Sequence, residues 1–120
     1  AQEETVAKQL GEALAKTIKN RNAILVASTD LSHFYDQQTA QKLDQEMLNR
    51  FTTLNPTTIF EAEQTGKGFA CGHAAVATVQ WAAKELGANN VQILKYATSG
   101  DVTGDFQSVV GYGAAAILRV

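Results

Sequence analysis

The sequence predicts an α/β fold: a three-layer sandwich around a mixed, mostly parallel sheet, to which this chain gives about three strands and four helices. Three observations predict it. Two apolar runs, Ala23-Ile24-Leu25-Val26-Ala27 and Val91-Gln92-Ile93-Leu94-Lys95-Tyr96-Ala97, each spill into a short polar loop that carries carboxylates. The stretches between them have helical rather than alternating spacing. The first run has no polar alternation, the pattern of a strand covered on both faces.

Element by element, residues 2–20 place Val6, Leu10, Leu14 and Ile18 four apart, one stripe of an amphipathic helix with glutamates early and lysines late. Residues 23–28 form the first strand. A second helix from about Asp36 carries Ala40, Leu43, Met47, Leu48 and Phe51 on its apolar side. Asn55-Pro56 stops it and starts a short helix, with Asn55 as N-cap and Pro56 in the first turn, ending at Gly66-Lys67-Gly68. A fourth helix runs from near Gly72 to Leu86 and stops at Gly87. A strand at 91–97, a loop, and a last strand at 107–118 complete the chain. No repeat, low-complexity stretch or linker divides it, so residues 1–120 read as a single domain.

Composition excludes several classes. The chain has 120 residues, 45% hydrophobic, with net charge −2, as for one globular domain. No apolar run approaches membrane-span length, and basic residues are neither abundant nor clustered, so neither a membrane nor a nucleic acid is an expected partner. The one cysteine, Cys71, forms no internal disulfide, and a reducing, cytoplasmic compartment is expected. The first residue is Ala, the one Met is Met47, and a helical pattern is already under way at Gln2, so the expectation is a piece of something longer. Doubly covered strands also need more sheet and helix than this chain supplies, which predicts self-association or association with a missing half.

If strands 23–28 and 91–97 are parallel, the loops after them leave the same sheet edge, where open α/β sheets place ligands. That edge gathers Asp30, His33, Ser99, Asp101 and Asp105. The helix feeding the second strand begins there with Ala70-Cys71-Gly72-His73, so its free N–H groups face the same site. Asp30 suits either a cap or a site carboxylate. His33 suits a structural role or that of a general base, since an imidazole ordinarily titrates near neutral pH. Cys71 and His73 are ligand-binding candidates that equally fit a buried thiol and a surface imidazole. Ser99, Asp101 and Asp105 are what a tight loop also needs. Two histidines without an i, i+4 pair make no recognisable metal motif, and there is no Gly-x-Ser-x-Gly elbow, phosphate loop or Cys-x-x-Cys.

Three separated motifs carry a resemblance: Val26-Ala27-Ser28-Thr29-Asp30-Leu31-Ser32-His33-Phe34, Ala70-Cys71-Gly72, and Lys95-Tyr96-Ala97-Thr98-Ser99-Gly100-Asp101-Val102-Thr103-Gly104-Asp105. Together with Ser108-Val109-Val110-Gly111-Tyr112 they resemble the Memo family, in particular its bacterial and archaeal members called AmmeMemoRadiSam system protein B. The resemblance implies a fold like that of class III extradiol dioxygenases, with this chain as the C-terminal half of a longer Memo-like domain. It implies a pocket at the sheet edge with iron(II) or another divalent metal, two of whose histidine ligands would lie in the absent half. Asp30 and His33 match the family's Asp-x-x-His pair, with His33 as the acid–base residue. The loop 99–105 would carry a third ligand, which is cysteine in animal members. Here the nearest position is Val102, which cannot coordinate, and Asp101 beside it would be the substitute ligand.

Three readings follow. The first is a non-haem iron, dioxygenase-like or redox enzyme. The second is a non-catalytic binding or scaffold module that takes a small molecule, peptide or partner protein in the same pocket. The family name implies a system with AMMECR-type and radical SAM proteins. The third is a structural half-domain whose polar edge only seals turns. Val102 favours the second over the first, and the Asp30–His33 spacing favours either over the third.

Overall fold

The computed structural model describes residues 2–120. Among them, five helices and three strands follow in the order α1 (Gln2–Ile18), β1 (His33–Tyr35), α2 (Gln37–Thr52), α3 (Thr57–Thr65), α4 (His73–Glu85), β2 (Asn90–Thr98), α5 (Gly100–Thr103) and β3 (Val109–Leu118). The α/β class and the four longer helices agree with the sequence reading. The loop expected after the second long strand contains one further turn of helix, α5.

Local chemistry sets the ends. The Asp36 carboxylate accepts the Thr39 N–H at 3.2 Å and caps α2. The Asn55 side chain does not cap α3. Instead its carbonyl accepts from the Thr58 N–H at 3.0 Å and the Thr58 hydroxyl at 2.7 Å. Helix α4 closes as a Schellman motif: Gly87 N–H to Lys84 O at 3.0 Å and Ala88 N–H to Ala83 O at 2.9 Å. That closure needs a left-handed residue, and Gly87 supplies it with φ 90°.

The sheet order is β1-β3-β2, and both pairings are antiparallel. A mostly parallel sheet is therefore not what these residues build by themselves. Residues 23–28, expected as a strand, run without turn or bend, but among the described residues they form no ladder with another strand, and Ala23 N–H turns back to Arg21 O at 3.1 Å. A strand needs a neighbour to accept its backbone groups, and within this chain that stretch has none. The chain meets β3 beyond that stretch, where Leu31 N–H donates to Gly111 O at 2.8 Å and Gly111 N–H donates to Ser32 O at 2.9 Å. Both β1 and β2 run antiparallel to β3, so they point the same way and their following segments leave the same side. Gln37 joins those segments: its N–H donates to Phe106 O at 2.9 Å, and its side-chain oxygen accepts from the Thr98 hydroxyl at 2.6 Å.

The core forms where α2, α3 and α4 meet, around Met47, Phe51, Ile59, Phe60 and Ala77. Helix α1 joins it by a different face from the one expected. It buries Ala7, Gly11 and Ala15 against α4, while Val6 and Leu10 are 54% and 51% exposed. Small residues let the two helices approach closely. A Cβ on Gly11 would lie 2.6 Å from the Thr78 carbonyl.

Asp44 of α2 is fully buried on the same stripe as Ala40 and Leu48. Its Oδ1 accepts the Ser32 N–H at 2.8 Å and its Oδ2 accepts the Tyr96 hydroxyl at 2.6 Å. Burial, together with the Asp44 carboxylate, pushes the Tyr96 phenol well above its ordinary pKa, so it stays a donor. A side chain at residue 111 would collide with that carboxylate, which is why β3 carries Gly111 there. Replacing Asp44 with Ala strands the Ser32 N–H and the Tyr96 hydroxyl in the interior. Urea titration should record a loss of about 3 kcal/mol for Asp44→Ala, against about 1 kcal/mol for Tyr96→Phe. Equal, small effects would remove this carboxylate from its structural role.

Candidate functional site

Segment 28–33 and the start of α4 come together through Thr29. Its hydroxyl accepts the Gly72 N–H at 2.8 Å and donates to the Asp30 carbonyl at 2.8 Å. A helix without a cap of its own is thus capped from a distant segment. The approach is close enough that a Cβ on Gly72 would lie 2.7 Å from the Ser28 carbonyl oxygen. Cys71, next to that glycine, is exposed and points at Asp30.

The centre is one carboxylate oxygen. Asp30 Oδ1 lies 2.7 Å from His33 Nε2 and accepts from the Cys71 thiol at 2.9 Å. The thiol's hydrogen bond holds the Asp30 carboxyl below the usual carboxylate range. Partial burial opposes this, and the His33 hydrogen bond and charge reinforce it. A neutral imidazole that donates from Nε2 keeps its lone pair on Nδ1, so the atom available to take a proton is Nδ1. The thiol donates to the carboxylate rather than to the imidazole, which is not the pairing that activates a cysteine nucleophile.

The orientation of His33 is built into β1. Phe34 has φ 70°, in the left-handed region, and the pairing with β3 shifts register between His33 and Tyr35. A bulge of this kind re-aims the side chains beside it. Phe34 itself is 74% exposed, so its conformation is held by the backbone on either side and not by burial of its ring.

The other candidates stand elsewhere or are otherwise engaged. His73 turns toward α1 and α3: Nε2 is 2.9 Å from Glu3 and Nδ1 is 3.0 Å from the Ala70 carbonyl, with Glu63 at 3.4 Å. Phe60 meets its ring edge-on. Ser99 bridges β2 and β3, its N–H donating to Val110 O and its hydroxyl accepting from Val110 N–H, both at 3.0 Å. Asp101 accepts the Thr98 N–H at 2.8 Å, and Asp105 accepts the Gln107 N–H at 3.0 Å. Val102 is 90% exposed.

Among the described residues, one group brings three metal-ligating side chains together: the donor atoms of Asp30, His33 and Cys71 lie within 4.8 Å of one another. Asp101, the ligand expected from sequence, is not part of it. The sequence placed Cys71 near the edge by topology, but not its bond to Asp30. Thr29 as the remote cap was missed, and no spacing signals it. Asp44 was also missed, although a carboxylate between Ala40 and Leu48 on an apolar stripe is a readable anomaly.

A model of the Memo-like protein family matches residues 1–116. A MEMO1 family protein of Nitrosopumilus maritimus is 38% identical over 109 residues, covering 91% of this chain and 40% of that protein. One from Methanopyrus kandleri is 37% identical over 115 residues, covering 94% and 41%. One from Methanocaldococcus jannaschii is 36% identical over 118 residues, covering 97% and 41%. The chain thus spans about 40% of the length of these curated relatives, somewhat less than the half expected. Among the described residues, no helix is long and apolar enough to cross a membrane.

The lowered carboxyl of Asp30 has a stability consequence with a definite sign. Its folded pKa lies below its unfolded value, so its contribution is present above about pH 4 and is lost as the pH falls through the folded pKa. Thermal unfolding between pH 2 and 6 should show a smaller acid-induced loss for Asp30→Asn than for the parent chain. Identical profiles would mean that the thiol and imidazole do not favour the ionised form.

Proposed function

Because the chain belongs to the Memo-like protein family, we propose that Asp30, His33 and Cys71 form part of a metal-dependent, dioxygenase-like or redox site at the sheet edge, handling protons when no metal is on them and serving as ligands when one is. One observation carries this reading: the 2.7 Å bond from His33 Nε2 to an Asp30 oxygen that the Cys71 thiol also binds. Asp30 orients the imidazole, and His33 Nδ1 takes or returns a proton beside the substrate. The thiol proton holds the second position on Oδ1 and so fixes which way the carboxylate faces.

The donor chemistry fits a divalent metal, since carboxylate oxygen, imidazole nitrogen and thiol sulfur converge on one point. Asp30, His33 and Cys71 would hold it. When bound, iron(II) would supply electron transfer to dioxygen. In that state His33 is a ligand rather than a base, and Cys71 gives up its proton, so binding weakens as pH falls. In the metal-free arrangement the protons sit on Cys71 Sγ and His33 Nε2, both directed at Asp30 Oδ1, and His33 Nδ1 is left free to accept one. The finer fold reading belongs here too: a mixed, mostly parallel three-layer sandwich completed by polypeptide outside this chain.

A second reading, a non-catalytic module that binds a small molecule, peptide or partner of a multi-protein system, has its own support. The loop expected to supply a ligand instead ties Asp101 to Thr98 N–H and turns Val102 to solvent.

Anaerobic iron(II) titration with metal analysis separates the two. The metal reading expects stoichiometric binding that weakens about tenfold or more in His33→Ala and Cys71→Ser. Asp101→Ala should bind like the parent. Because His33 lies outside the core, His33→Ala should change stability by less than about 1 kcal/mol. Absence of binding in the parent chain would favour the binding-module reading, and a large stability loss in His33→Ala would favour a structural role.

A further inference from the structure

Between residues 23–29 and β3 lies a groove of about 620 Å³, and its lining is mostly apolar. Three features of its walls specify an occupant. Among the described residues, the backbone of residues 24–30 makes no backbone–backbone hydrogen bond, and Ile24 and Val26 are 87% and 81% exposed. On the opposite wall, β3 beyond Gly111 pairs only with β2, so the edge facing the groove keeps its N–H and C=O groups unpaired. Gln80, 1% exposed and lining the groove, donates from Nε2 to Phe51 O at 2.9 Å but leaves Oε1 without a partner.

A small apolar ligand would fill the volume and leave both backbone edges unsatisfied. Another extended strand satisfies both at once, because each of its faces of N–H and C=O groups meets one wall. We propose that the groove is a slot for a single apolar β-strand, supplied by the part of Memo-like polypeptides that this chain does not span. The relatives are long enough to supply it, since the matched region makes up only about 40% of each. Directions follow from the topology. Residues 23–32 lead into β1 and run antiparallel to β3, so an inserted strand lies parallel to one wall and antiparallel to the other. That insertion turns the antiparallel sheet of this chain into a mixed one. One polar donor side chain on the α4-facing side of an otherwise apolar strand would also satisfy Gln80 Oε1. Ile18, at the end of the α1 stripe whose Val6 and Leu10 are exposed, lines the groove.

Hydrogen exchange read by mass spectrometry tests this on backbone protection, not on metal binding or activity, so it is independent of the chemistry at Asp30. The chain is compared alone and mixed with the part of the Nitrosopumilus maritimus relative outside the 109 matched residues. Alone, amides of residues 24–29 should exchange at the rate of unpaired backbone. On mixing, they and the amides of residues 113–118 should slow about tenfold or more. Val26→Asp, at an exposed position, should keep the fold of the chain and abolish that slowing. Failure to associate, or association that leaves both stretches exchanging as before, would overturn the proposal. So would protection that grows with the concentration of the chain alone, which would assign the groove to a second copy.

Discussion

A single buried carboxylate holds this molecule together. Asp44 sits on α2 but satisfies groups from two other segments, the Ser32 N–H ahead of β1 and the Tyr96 hydroxyl on β2, and it lies against Gly111 of β3. Each partner is a polar group that would otherwise be left dry, so the three segments gain only when all are in place. Position follows from it. Ser32 is anchored, so His33 one residue later and Asp30 two residues earlier are placed at the sheet edge with little freedom. The site is a consequence of a core hydrogen bond rather than of loop chemistry.

The helices and the two long strands were legible in the sequence because periodicity and capping are local. What was not legible depends on neighbours. Helix α1 has two adjacent stripes, Val6-Leu10-Leu14-Ile18 and Ala7-Gly11-Ala15, and hydrophobicity alone favours the first. The second is the one packed on α4, because close approach of two backbones outweighs larger side chains at a distance. Residues 23–28 read as a strand from their composition, yet pairing requires a partner that composition cannot supply. The Asp30–His33 pair was readable from its spacing and its place after an apolar run. The share of Cys71 in the same carboxylate oxygen was not, because residues 41 apart in sequence meet only through the Thr29–Gly72 contact.

The candidates that found structural employment are also informative. His73, Ser99, Asp101 and Asp105 all satisfy backbone groups or ion pairs around the loops that frame the edge. Their residue types suit catalysis and turn-sealing equally, and only geometry separates the two uses. What remains after that separation is a compact trio, Asp30, His33 and Cys71. The trio and the groove share segment 23–33, so whatever fills the groove also stiffens the segment that presents Asp30.

The connectivity of the sheet sets an order of assembly. β2 and β3 are separated by ten residues that include one helical turn, so their hairpin closes a short loop and can form early. β1 must instead find β3 across more than seventy residues, pairing His33 with Val110 and Tyr35 with Val109 through a bulged contact. Long-range pairings of this kind wait until most of the chain has condensed. The Asp30–His33–Cys71 trio belongs to those late contacts, so on refolding the hairpin and helices form first and the edge that carries the trio closes last.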